Sequence, residues 1–129
     1  MKPYKTYHFE IPLHIYPFKV LFSMGESDEV LLKKLKKYGE FHQEESDNLK
    51  LTGVGRCIMC FDYRLVIIRI DPLFSEKHET LGTINHEILH AVIYILDACG
   101  VKLEKGVSDE AFTYLMGYIS AEIHKKIKL

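Results

Sequence analysis

The feature that most constrains this chain is a change of hydrophobic period at Pro72. Before it, apolar residues come in short runs rich in aromatic and β-branched side chains, which suit pleated strands. After it they recur every three or four residues, the period of an amphipathic helix. Strands are predicted over 6–11 and 15–22, where Pro12 and Pro17 interrupt the pairing, then over 49–54 and in a hairpin with arms 56–61 and 64–70 and a turn at Asp62-Tyr63. Asp71-Pro72 ends the last arm, because proline has no N–H for the ladder. Ser27 is a good N-cap for an intervening helix that runs to about Tyr38 and stops at Gly39. Val30, Leu31 and Leu35 form its apolar stripe, and Lys33, Lys34, Lys36 and Lys37 its solvated face. Residues 40–48 read as a polar loop. One helix begins between Ser75 and Thr80 and ends at Gly100, and another follows Ser108 to about Lys126. The order β-β-α-β-β-β-α-α predicts one α+β domain over residues 1–129 with a mostly antiparallel sheet.

Charge and composition exclude several classes of partner. Seventeen Lys and Arg against eighteen Asp and Glu give a net charge of −1, with no electrostatic footprint for a phosphate backbone, so nucleic acid is not an expected partner. No apolar run approaches the roughly 20 residues a membrane helix needs. Residues 1–8 lack the apolar segment of a signal peptide, so the expected compartment is the cytoplasm and no membrane partner is expected. Three cysteines do not make a disulfide framework. Cys57 and Cys60 lie three apart in a strand-like run, where such positions face opposite ways, and Cys99 reads as packing. His8, His14, His42 and His78 have no spaced partners and read as structural or surface residues.

The first long helix carries His86-Glu87-Ile88-Leu89-His90. Residues four apart on a helix share a face, so His86 and His90 are placed to hold one zinc ion, while Glu87 flanks that face and can take a proton from zinc-bound water without being a ligand. Leu81, Ile84, Ile88, Val92 and Ile95 form the helix's buried side, widened by Leu89, Ile93 and Leu96. Thr83, His86, Glu87, His90, Tyr94 and Asp97 form its polar strip. A catalytic zinc usually takes three protein ligands. Glu110 is the best third candidate: it lies in the first turn of the next helix, where the helix dipole favours its ionised form, and Gly100 and Gly106 let the connection reverse.

The run His-Glu-Ile-Leu-His-Ala-Val, followed by Gly106-Val-Ser-Asp-Glu110-Ala-Phe-Thr-Tyr-Leu-Met-Gly117, resembles the gluzincin, or thermolysin-like, metallopeptidases over about residues 80–120. In size the chain is similar to the minimal zincin domains called minigluzincins, and its Glu-Ala helix to the ImmA/IrrE-type regulatory peptidases. The resemblance implies a zincin-like fold with one zinc ion on His86, His90 and Glu110. It makes Glu87 the general base and then the proton donor to the leaving amine, with a peptide or protein as substrate. It also implies that the strand before the active-site helix, 64–70, is either the edge that pairs with substrate or an ordinary buried strand.

Two departures from the family pattern bear on activity. Tyr114 stands where those enzymes have an aspartate orienting the first histidine; it is either a weaker acceptor for His86 or a core residue, with Gly117 and Ala121 following on its face. The nineteen residues after Glu110 hold no large second subdomain, and the oxyanion partner is open among Tyr63, Tyr94, Tyr118 and His124. The competing reading is a zincin-fold module that binds zinc without turnover, or a regulatory or host-interaction protein restricted to one partner. Substrate specificity and oligomeric state are not legible in the sequence.

Overall fold

The computed structural model describes residues 5–72 and 76–129. Strands β1 (Tyr7–Pro12), β2 (Lys19–Met24), β3 (Gly55–Cys60) and β4 (Leu65–Ile70) form one sheet in the order β1-β2-β4-β3. Helices α1 (Asp28–Leu35) and α2 (Gln43–Asn48) come between β2 and β3, while α3 (Lys77–Ala98) and α4 (Asp109–Lys126) follow the sheet. The architecture is α+β, with a mixed sheet. The hairpins β1–β2 and β3–β4 are antiparallel, and the central β2–β4 pair is parallel, with Lys19 opposite Leu65 and Met24 opposite Ile70.

The centre of the sheet follows from composition. Every residue of β4, Leu-Val-Ile-Ile-Arg-Ile, is buried, the pattern of a strand covered on both faces. Val66, Ile68 and Ile70 face the core shared with α3 and α4, alongside Val20, Phe22, Ile84, Ile88 and Ile119. Leu65 and Ile67 face a second core with Leu21, Leu31, Leu35 and Leu49. The edge reading of 64–70 is therefore corrected: that strand is internal, and the edge beside α3 is β3.

Ser27 caps α1 as expected, its Oγ accepting from the Val30 N–H at 3.2 Å. The helix tightens into a 3₁₀ turn over Lys36–Tyr38 before Gly39. Two local expectations fail. The polar segment expected as a loop contains α2, where the His42 N–H is capped by the Glu45 side chain at 3.0 Å and Gln43 bonds Asp47 one turn on at 2.9 Å. Residues 49–54 are not a strand. Their backbone groups bond elsewhere: the Leu51 N–H donates to Asp28 Oδ1 at 3.2 Å, and Val54 C=O accepts from the Asp71 N–H at 2.8 Å.

One charged side chain on β4 lies inside the second core. Arg69 is 2% exposed and donates to Asp28 Oδ1 (2.5 Å), Leu49 C=O (2.7 Å) and Glu26 C=O (2.6 Å). It ties α1 and the 49–54 segment to the sheet. Beside it, His8 and Ser23 at 2.7 Å and Lys34 at 2.5 Å converge on the buried Glu26 carboxylate. Removing one member of such a network leaves buried groups unpaired. Arg69→Ala is expected to lower unfolding free energy by about 3 kcal/mol in urea titration at neutral pH. The Arg69 hydrogen bond holds the Asp28 carboxyl below its ordinary 3.8. That contribution is present above the ordinary value and is lost as pH falls through the lowered one, so the gap between variant and native chain should narrow in acid.

Candidate metal centre and its cleft

Helix α3 is long because its sequence is uninterrupted, and it ends where Gly100 adopts a left-handed φ of 79° and the Val101 N–H reaches back to Leu96 C=O at 2.8 Å. Ile84, Ile88, Val92, Ile95 and Leu96 are buried as expected. Leu89 and Ile93 are not: they are 45% and 41% exposed, because the sheet and α4 cover only one side of the helix.

His86 and His90 emerge on the uncovered side. Their Nε2 atoms are 3.2 Å apart, with the rings edge to face at 69°. Two imidazole nitrogens bound about 2.0–2.1 Å from one tetrahedral zinc ion sit about 3.3 Å apart. The pair is thus spaced for a single metal, and the same separation also suits a hydrogen bond with one ring donating. Tyr94 extends the stack, its ring 6.1 Å from that of His90 at an interplanar angle of 23°.

Glu87 lies against the start of β3, at the edge of the sheet, and lines one cleft with His86. It is 6% exposed, and no hydrogen-bond or ion-pair partner meets its carboxylate among the described residues. A side chain at Gly55, the first residue of β3, would clash: its Cβ would lie 2.9 Å from Glu87 Oε2 and 2.7 Å from Thr83 Cγ2. Glycine there is what lets α3 press Glu87 against β3. The sequence reading missed Gly55, although a glycine opening a strand can mark close approach. Cys57, the next residue on that face, has its thiol pKa pushed up by burial and further by the Glu87 charge. Cys60 joins the opposite core, its thiol raised to about 12 by burial, so the two cysteines are not a pair, as expected.

Between the start of β3 and the first turns of α3 lies a cleft of about 530 Å³, lined by Val54, Gly55, Glu79, Gly82, Thr83, His86 and Glu87. Its size falls in the range of about 300–1,000 Å³ usual for ligand clefts.

Glu110 is not brought to this place. Gly55 pairs with Ile70, which is level with Met24 and Tyr7, so Glu87 sits at that end of the sheet. Helix α4 meets the sheet at the other end and along the other edge. The Tyr118 hydroxyl donates to Pro12 C=O at 3.2 Å, and from there the helix runs back until the Lys128 N–H reaches the Tyr7 hydroxyl at 2.8 Å. Glu110 lies two turns before Tyr118, away from the histidines. The ligand atoms of His86, His90 and Glu110 do not come within 4.8 Å as a set; the trio that does, among the described residues, is Glu76, His78 and Glu79. The apolar stripe Phe112, Leu115, Ile119 and Ile123 decides this, by packing α4 against α3 and into the core they share with the sheet.

The same docking settles other expectations. Tyr114 is 69% exposed and lines a small apolar hollow of about 70 Å³ with Leu13, His14, Tyr16 and Tyr118, so it is not an acceptor for His86. A side chain at Gly117 would meet nothing within 4 Å, so that glycine marks no close helix contact. Of the oxyanion candidates, Tyr63 hydrogen-bonds Glu40 C=O, Tyr118 is held at Pro12, and His124 is in the last turn of α4. Tyr94 is the one beside the histidines. No helix among the described residues is long and apolar enough to cross a membrane.

No family model, curated protein or solved structure matches this chain.

Proposed function

We propose that the chain is a zinc metallopeptidase of minimal zincin type, with His86 and His90 as ligands and Glu87 as base. The observation that carries this reading is the 3.2 Å separation of the two Nε2 atoms beside a buried carboxylate with no described partner. Two neutral imidazoles are a donor set that zinc favours. Zinc bound there would polarise a peptide carbonyl and acidify water. Glu87, held against Gly55, would take a proton from that water and pass it to the leaving amine. The backbone edge of β3 would pair with an extended peptide, taking the part expected of residues 64–70. Tyr94, stacked on His90, would fix the ring's orientation.

Glu110 remains our proposed third ligand, on condition that residues 99–110 re-dock along α3 to bring it to the pair. Glu110→Gln tests this. If Glu110 ligates, zinc affinity by chelator competition should fall by more than the roughly 10- to 100-fold typical of groups that only support a ligand. Unchanged affinity would remove Glu110 from the site. A second reading, a metal-holding module without turnover, is favoured by the two donors now in reach. Metal content together with hydrolysis of a peptide library tests the main reading: about one zinc per chain with cleavage supports it, and zinc without cleavage supports the module.

A further inference from the structure

We infer that the cleft beside Glu87 is a specificity pocket for a cationic side chain, lysine or arginine, next to the cleaved bond of an extended peptide. The inference rests on the peptidase reading of the same site.

The pocket is shaped by what it lacks. Gly82 leaves one wall without a side chain, with nothing within 4 Å of where a Cβ would stand, while Val54 and Thr83 supply apolar surface for a chain of methylenes. Its polar ends are acidic. Glu87, 6% exposed and with no described partner, and the exposed Glu79 both line it. No lysine or arginine lines the cleft. Glu76 and His78 gather with Glu79, and Asp71 is held beside Val54 by its N–H, so the rim is acidic as well. Lys77 is the cation on this turn and does not line the cleft.

The reach is right for a long cation. Glu79 and His86 are seven residues apart, two turns on one face of α3, or about 10.5 Å. A substrate residue held at the β3 edge near the histidines would have to send its charge along that span. Four methylenes and an ammonium, or an arginine's longer arm, met by the Glu79 side chain, close it. A short acidic side chain would face two carboxylates. An apolar one would leave Glu79 without a partner. Glu87 stays free for proton transfer because Glu79 receives the charge.

Binding can be tested apart from turnover. Three fluorescein-labelled peptides, identical except for lysine, norleucine or glutamate at the central position, are titrated into the zinc-loaded Glu87→Gln chain by anisotropy. The lysine peptide should bind at least about tenfold more tightly than the others, with the preference shrinking as salt rises. Glu79→Gln should reduce the ratio to near one, and Glu79→Lys should invert it toward the glutamate peptide. Equal binding of the three peptides, no binding of any, or a lysine preference untouched by Glu79→Gln overturns the inference. Cleavage by the native chain is read separately with a peptide library. Absence of any cleavage defeats the peptidase reading whatever the binding ratio, while cleavage with no basic preference beside the cut defeats only the pocket assignment.

Discussion

Replacing Glu87 by glutamine should leave about one zinc ion per chain and lower kcat/KM for peptide cleavage by about 10³-fold. Positioned general acid–base groups contribute typically 10²- to 10⁴-fold, and Glu87 lines the same cleft as His86. The amide has the carboxylate's shape, so it fits the tight space between Thr83 and Gly55. It cannot accept a proton from water at neutral pH. The variant also has a control built into it. The amide keeps the carboxylate's size and breaks no described hydrogen bond or ion pair, so the variant should fold about as stably as the native chain. Unchanged or raised Tm with activity lost identifies a chemical role. A lowered Tm would mean that Glu87 is instead a structural contact of β3. Gly55→Val should act through the same contact, displacing Glu87 and lowering turnover with zinc retained.

The second large effect is on the metal. His86→Ala with His90→Ala should reduce zinc content from about one per chain to background, measured by elemental analysis after dialysis in micromolar zinc. Saturating zinc should raise the Tm of the native chain, since a ligand bound only to the folded state stabilises it by mass action, and should leave the double variant unmoved. Both histidines are exposed on the uncovered side of α3 and support no core, so the double variant should fold normally. Equal zinc content in the two proteins would refute the site and direct attention to Glu76, His78 and Glu79, the other group whose ligand atoms converge.

Much of this centre was legible in the sequence because it is local. Four-residue spacing on a helix is geometry that any chain must obey, so the approach of His86 to His90 needed no knowledge of the fold. The Ser27 cap, the ends of the long helices and the change of period at Pro72 were legible for the same reason. What escaped were features set by distant packing. The sequence around Glu110 does not encode which way α4 runs; that depends on where Phe112, Leu115, Ile119 and Ile123 find a partner surface. The apolar run Leu65-Val-Ile-Ile signalled a strand but left open whether it was an edge or a buried one, because its place between β2 and β3 depends on pairing across the whole first half of the chain. Gly55 carries no pattern of its own and gains meaning only when α3 lies across it. The polar helix α2 went unread because its stability comes from capping and side-chain bonds, not from an apolar stripe.

The single parallel seam between β2 and β4 has a kinetic consequence. Each hairpin, β1–β2 and β3–β4, closes over a short loop and can form early from local contacts. The seam joins segments separated by two helices and a strand, so its closure entropy falls due before either core is complete. The seam should therefore form late and hold the centre of the sheet, with Arg69 clasping α1 and the 49–54 segment onto β4. In native-state hydrogen exchange, β2 and β4 would then open together at the cost of global unfolding, whereas the β3 edge beside Glu87 would open at a lower one. A strand able to detach from its neighbour without dissolving the core is also one able to admit another strand, which is the motion an extended guest at that edge would use.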